Sequence, residues 1–244
     1  MRFDTASYSN IGGRDVNEDS TLVKQYGGAL IAAVADGLGG HGGGDVASQT
    51  ALKALDARCK EAFPADEAAW KATCAALNAA VLAAQTERVR MKTTLALAAV
   101  YGETLACVHV GDSRVYYFHE GAVRYQSADH SVSQLAVLAG EITADEIRFH
   151  EDRSRLLRSL GSEEAAAPDV RLFPDAPVPG DALLLCSDGF WEYVLEKEML
   201  ETLAAARSAQ GWLDAMRRTL KRRAKRGNDN NSAVAVRILP DGKR

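Results

Sequence analysis

An α+β fold in which helix pairs cover antiparallel sheets is what the amino-acid order predicts, and three observations carry that prediction. Apolar runs of strand length recur along the chain. Those in its middle are separated by glycine-containing turns of two or three residues, which join antiparallel neighbours. Helical stretches come in twos between the strand segments. The order β, α-α, β-meander, insert, β, α-α, β therefore lacks the βαβαβ alternation of a doubly wound sheet.

The first element, Ala29–Ala35, is an apolar run that stops at Asp36-Gly37 and predicts a buried strand. A glycine-rich loop then leads into a helix over 45–59, where Val46, Ala47, Thr50, Ala51, Ala54 and Leu55 recur at helical spacing. The alanine-rich stretch 67–90 predicts a second helix. Four strands follow, over 93–101, Thr104–Val110, Arg114–His119 and Ala122–Gln126, joined by Gly102-Glu103, Gly111-Asp112-Ser113 and Glu120-Gly121. Between 130 and 165 the chain becomes polar, with short helices expected over 131–139 and 144–149. Arg148, Arg153, Arg155 and Arg158 cluster there, and this insert is expected to be a flap over a site. Ala182–Cys186 is again a strand, ending at Ser187-Asp188-Gly189. Helices over 196–206 and 211–225 and a strand over 233–238 complete one domain spanning 1–244.

The 244 residues are 47% hydrophobic and 25% charged, ordinary for a globular chain able to bury a core without a staple. A net charge of −4 argues against a nucleic-acid partner. Cys59, Cys74, Cys107 and Cys186 form no CxxC pair and are expected as buried, reduced thiols. No apolar segment follows Met1-Arg2-Phe3-Asp4, and the longest apolar runs fall far below the ~18 residues of a membrane span. The expectation is a cytoplasmic protein, monomeric and without a membrane contact.

The chemistry is carried by aspartates placed where strands stop: Asp36, Asp112 and Asp188 directly follow apolar runs, and Asp19 and Asp229 sit in polar loops. Singly, each has an ordinary reading, since Asp-Gly is a common turn, Asp19 can cap, and Asp229 lies among asparagines. If several converge, their repulsion must be relieved by protons or cations. Hard divalent ions such as Mg²⁺ or Mn²⁺ prefer such oxygen donors, whereas no His/Cys cluster offers a zinc site.

The segments Arg14-x-x-Asn17-Glu18-Asp19, Val34-Ala35-Asp36-Gly37-Leu38-Gly39-Gly40-His41, Lys92-Thr93-Thr94, Val110-Gly111-Asp112-Ser113-Arg114, Asp129-His130-Ser131, Leu185-Cys186-Ser187-Asp188-Gly189 and Asp229-Asn230-Asn231-Ser232 occur in this order. Together they resemble the metal-dependent protein phosphatases (PPM, or protein phosphatase 2C type) in their compact bacterial form. The resemblance implies a central antiparallel β-sandwich flanked by pairs of antiparallel helices. It also implies two Mn²⁺ or Mg²⁺ ions held by Asp36, Asp188, Asp229 and the Gly37 carbonyl, with Asp19 and Glu18 acting mainly through waters. Asp112 with Asp188 would serve a third, weaker ion, and Arg14 would clamp the substrate phosphate as a planar guanidinium can. The implied reaction is hydrolysis of phosphoserine and phosphothreonine by a cation-activated water, opposing a bacterial Ser/Thr kinase. A catalytically silent, phosphoprotein- or kinase-binding relative is the alternative, against which stands the full set of carboxylates. Where some relatives carry a histidine after Asp-Gly this chain has Leu38, so His41 becomes a candidate general acid beside a water.

Three further signals are weaker. Gly37-x-Gly39-x-x-Gly42 matches a dinucleotide fingerprint, but no βαβ unit surrounds it. The basic run 217–226 reads as a solvated helix end or as a docking patch. Trp191, just after Asp188, is placed to pack near the site, and Arg153, Arg155 and Arg158 either contact substrate or pair within the flap.

Overall fold

Alternating side chains in apolar strands let one sheet bury both of its faces. In β3 (Ala29–Ala35), Leu30, Ala32 and Val34 point into the space between two sheets, while Ile31, Ala33 and Ala35 point toward helices. The same division holds along β6 (Leu95–Tyr101), β7 (Thr104–Val110), β8 (Arg114–His119), β11 (Ala182–Cys186) and β12 (Asn231–Leu239). The computed structural model describes residues 1–39, 42–163, 166–175 and 177–241.

Two five-stranded antiparallel sheets face each other. One runs β1 (Arg2–Asn10), β12, β11, β8, β9 (Ala122–Gln126). The other runs β10 (Asp169–Phe173), β7, β6, β3, β2 (Ser20–Tyr26). Helices α1 (Gly44–Glu61) and α2 (Glu67–Ala84) cover the second sheet through Leu55, Trp70 and Leu77. The first sheet is covered by α5 (Glu196–Ala205) and α6 (Ala209–Arg223) through Met199, Trp212 and Met216. The layers are helix, sheet, sheet, helix, as expected. Each fully buried side chain of Leu or Met size stabilises this arrangement by about 1.5–3 kcal/mol.

Several local expectations are corrected. The helix expected over 67–90 stops at Ala84, because the amide of Gln85 turns outward to donate to Met91 O and Gly161 O, both at 2.8 Å. The strand expected from 93 divides at Thr94. There β5 (Lys92–Thr93) leaves to pair with β4 (Gly37–Leu38), while β6 pairs with β3. Of the two short flap helices, α3 (Val132–Leu138) is α-helical and Ala144–Phe149 is 3-10. Strands β1, β2 and β10 carry mixed, half-buried sequences without a long apolar run, which is why the sequence pattern does not reveal them.

Candidate metal centre

The loops at one end of the sandwich converge because their backbones are stitched to one another. Asp36 leaves β3 with its N–H donated to Thr94 Oγ1 (2.9 Å) and its carbonyl accepting from Thr93 Oγ1 (2.8 Å) and Thr94 N (2.9 Å). Gly37 then donates to the Glu18 carbonyl at 3.1 Å, in a passage so tight that a Cβ would lie 2.1 Å from Gly44 O. Asp188 opens the single turn α4 (Asp188–Trp191) directly after β11, and a Cβ on Gly189 would lie 2.1 Å from Asn230 O. Asn230 ties the remaining loops together: its amide donates to Ile11 O (2.7 Å) and Val16 O (3.0 Å), and its Oδ1 accepts from Glu18 N (2.8 Å). Asp112 lies in the turn between β7 and β8, its carbonyl held by the Trp191 indole at 2.9 Å.

These loops enclose a cavity of about 520 Å³ lined by Arg14, Glu18, Asp36, Gly37, Asp112, Asp188 and Asp229 among others. Asp19 lies behind it, buried, accepting from the Ser187 hydroxyl at 2.8 Å. Ser154 and Leu156, from the insert expected as a flap, also line it. Thus Arg14, Glu18, Asp19, Asp36, Gly37, Asp112, Asp188 and Asp229 come together, whereas His41 lies outside the described residues.

The carboxylates raise one another's pKa. Burial and then the charges of Asp19, Asp188, Asp112 and Asp229 hold Asp36 well above the usual carboxylate range. Burial, then Asp188 and Asp129, does the same to Asp112. Asp188 is pushed up to about 7, by burial first and then by Glu192, Asp229 and Asp19. Asp19 rises to about 6 through burial, moderated by hydroxyl hydrogen bonds from Ser232 and Ser187. Burial also raises Glu18. Two carboxylate oxygens, Asp19 Oδ1 and Asp188 Oδ1, are buried without a hydrogen-bond partner. Orphaned anionic oxygens in an all-oxygen basin fit a hard divalent cation and not a soft one.

A pH effect follows from these shifts. Between about pH 4 and pH 7 the folded, metal-free protein holds protons on Asp19 and Asp188 that the unfolded chain releases. Their contribution to stability is therefore present at the acid end of that window and is lost as pH rises through it. The lowered Glu196 and Glu198 act oppositely, but below the ordinary glutamate pKa. The buried, lowered His109 and His130 also act oppositely, as pH falls through the ordinary histidine range, but the four raised aspartates, Asp36 and Asp112 included, outnumber these two histidines. Melting in EDTA is expected several degrees lower at about pH 8 than at about pH 5.5, with the difference removed by saturating Mn²⁺. A metal-free protein more stable at the alkaline end would contradict mutual repulsion.

Arg14 is half-exposed, and its Nη2 sits 2.7 Å from Asp229 Oδ2. The flap arginines are engaged: Arg153 with Glu192 (2.6 Å), Arg155 with Asp152 (3.1 Å) and Arg158 with Asp169 (3.1 Å). Of these three, only Arg155 pairs within the flap as expected; Arg153 and Arg158 instead tie the flap to Glu192 after β11 and to Asp169 of β10. Sequence reasoning missed the supports of the basin, above all Asn230 and Thr94. It also missed the buried pair Arg114–Asp129, whose only sequence signal was the quoted motifs that contain them. His109, His130 and Asp169 also cluster, with ligand atoms within 4.8 Å of one another. The Arg158 guanidinium lies 3.1 Å from both His130 Nε2 and Asp169 Oδ1, where a cation would have to sit. His130 instead grips Gly111, its backbone N–H donating to the Gly111 carbonyl (2.9 Å) and its ring Nδ1 accepting the Gly111 N–H (3.2 Å).

Known proteins resemble this chain in sequence and in fold. The family profile described as Protein phosphatase 2C matches residues 7–234. The serine/threonine protein phosphatase PstP of Mycobacterium tuberculosis (strain ATCC 25618 / H37Rv) is 34% identical over 231 residues, covering 92% of this chain and 42% of PstP. This chain thus spans less than half the length of that relative. The serine/threonine phosphatase stp of Listeria monocytogenes serovar 1/2a is 35% identical over 214 residues, covering 84% of this chain and 83% of stp. The solved catalytic domain of PstP in complex with 2 manganese ions superposes with a TM-score of 0.76 at 31% identity, covering 98% of this chain and 99% of that one. Matched by that profile and by these relatives over most of its length, this chain belongs to the protein phosphatase 2C family.

Proposed function

We propose that this protein is a metal-dependent phosphatase that hydrolyses phosphoserine and phosphothreonine on proteins. The observation that carries the reading is the convergence of Asp36, Asp112, Asp188, Asp229 and the buried Asp19, with unpaired oxygens on Asp19 and Asp188. Asp36, Asp188, Asp229 and the Gly37 carbonyl would hold two ions, Mn²⁺ or Mg²⁺, as the likeness to the manganese-bound relative supports. Glu18 and Asp19 would contribute mainly through waters, and Asp112 with Asp188 would serve a third, weaker ion. Such ions, when bound, supply an acidified water as nucleophile and neutralise phosphoryl charge.

The chain's own residues do the rest. Arg14, at the cavity mouth, is free to exchange its exposed contact with Asp229 for two oxygens of an incoming phosphate. Asn230 and the Thr93–Thr94 hydroxyls hold the carboxylates rigidly, so little reorganisation is needed as charge develops. Gly37 and Gly189 let the backbones approach closely enough for the carboxylates to share one basin. A cognate bacterial Ser/Thr kinase is the proposed counterpart, acting on the same phosphoproteins. The chain is proposed to act as a cytoplasmic monomer; among the described residues no helix is long and apolar enough to cross a membrane.

The test is phosphate release from a phosphothreonine peptide with Mn²⁺ and with EDTA, in wild type and in Arg14→Ala. Turnover is expected with Mn²⁺ only, and Arg14→Ala is expected to raise KM about tenfold or more with a smaller fall in kcat. A folded protein that binds Mn²⁺ and releases no phosphate would move the reading to the silent, phosphoprotein-binding relative.

A further inference from the structure

A second cavity, of about 180 Å³, lies behind the loops that carry Arg14 and Asp229. Tyr8, Asn10, Gly12, Arg217, Lys221 and Asn228 wall it, so its lining brings two cations and several hydrogen-bonding groups but no carboxylate. That sign is unusual for a chain of net charge −4. It arises because 217–226 contains seven cations and no acidic residue. Five of them, Arg218, Lys221, Arg222, Lys225 and Arg226, make no ion pair among the described residues. Lys221 also makes no side-chain hydrogen bond among those residues, although it lines the cavity. Arg217 is held more firmly: its guanidinium lies 4.4 Å over the Tyr8 ring and its Nη1 is 3.2 Å from Asp214. One anchored cation and one without a partner, on one helix face, make an anion-sized recess.

The recess shares its walls with the metal centre. Gly12 is two residues before Arg14, and Asn228 immediately precedes Asp229. The two strips are bonded, Gly13 N donating to Asn228 O at 2.8 Å, and Gly12 lies so close to Asp229 that a Cβ would meet its carbonyl at 2.2 Å. A phosphoresidue in the carboxylate basin and an anionic group in the recess would thus be separated by one loop layer, a span that a few extended residues cross at about 3.3 Å each. The recess has room for roughly six water volumes at about 30 Å³ each, enough for a carboxylate or phosphate group.

We propose that this recess is an accessory anion subsite. It binds a second phosphate or a carboxylate on the same polypeptide whose phosphoresidue occupies the metal centre, and so selects acidic or multiply phosphorylated segments. The proposal rests on the phosphatase reading. It identifies the basic end of α6 as a substrate contact rather than only a solvated helix terminus.

The experiment measures kcat/KM of the full chain with Mn²⁺ on three kinds of phosphothreonine peptide. One is otherwise neutral, one carries glutamate and one carries a second phosphoserine, each acid placed about two to six positions to either side. The quantity read is the ratio of acidic to neutral peptide, in wild type, Lys221→Gln, and Arg217→Gln with Lys221→Gln. Wild type is expected to favour the best-placed acidic peptide about tenfold, through KM, with the phosphate arm exceeding the glutamate arm if phosphate is the natural occupant. The ratio should fall to about twofold or less in the double variant and at about 0.5 M salt, where charge contacts are screened within about 5 Å. A wild-type ratio near one at every position, or a preference that survives the double variant, would overturn the subsite while leaving the phosphatase intact. Absence of turnover on the neutral peptide as well would instead overturn the phosphatase reading itself, and the subsite with it.

Discussion

Asp188→Asn is expected to abolish phosphate release while raising the melting temperature of the metal-free protein. The two effects have one cause. Asp188 stands among Asp19, Asp36, Asp112 and Asp229, and its carboxyl is pushed up to about 7 by burial and by its acidic neighbours. At about pH 8 the folded, metal-free state must therefore carry a charge it would rather not hold. An isosteric neutral amide removes that repulsion, which we expect to stabilise the EDTA-treated protein by about 1–3 kcal/mol, or roughly 3–8 °C. The same change deletes an anionic donor, so the stabilisation conferred by Mn²⁺ should fall by well over half. Activity should drop by about 10³-fold or more, because nucleophile and charge neutralisation are lost together. Differential scanning calorimetry with and without Mn²⁺, alongside phosphate release, reads both effects. A metal-free Asp188→Asn protein that melts well below wild type would mean that Asp188 is structural, not a repelled ligand.

The second large effect concerns Arg114, whose side chain is 2% exposed. Its Nε and Nη2 donate to the two carboxylate oxygens of Asp129, each at 2.8 Å, and its guanidinium lies 3.5 Å over the Trp191 ring. Arg114→Met removes the cation and leaves Asp129, itself 5% exposed, as a buried charge without its partner. Breaking one side of such a pair costs about 3–5 kcal/mol, here about 10 °C or more in melting temperature. Trp191 also holds the Asp112 carbonyl, so loosening its stack is expected to weaken binding of the last ion to load. Combining Arg114→Met with Asp129→Asn should recover part of the loss, since no unpaired charge remains. Equal melting temperatures for the single variant and wild type would show that the pair contributes nothing to the fold.

These two residues also mark how far the sequence could be read. Asp188 was legible because an apolar strand ending in Asp-Gly is a local pattern, and Asp36 repeats it. The sandwich was legible where strands are buried on both faces and so read as continuous apolar runs, as in Leu95–Tyr101 and Ala182–Cys186. Edge strands such as β1 and β10 mix exposed and buried positions, and their pairing partners lie far along the chain, so no local signal identifies them. The Asn230 bridges have the same character, since Ile11 lies 219 residues away, whereas Arg114 and Asp129, 15 residues apart, flank the β8–β9 hairpin and carry no residue pattern that announces their pairing. The end of α2 was misread because alanine propensity continues past it, while Gln85 is drawn away by two carbonyls that sequence alone does not place nearby.

The measurement that bears most directly on the carboxylate basin is a calorimetric titration of the EDTA-stripped protein with Mn²⁺ at about pH 7.5, with melting followed in parallel. Two ions binding per chain with a rise in melting temperature is the predicted result, since cations relieve the repulsion among Asp36, Asp188 and Asp229. A folded protein that binds no Mn²⁺ and melts at the same temperature with and without it would contradict the account.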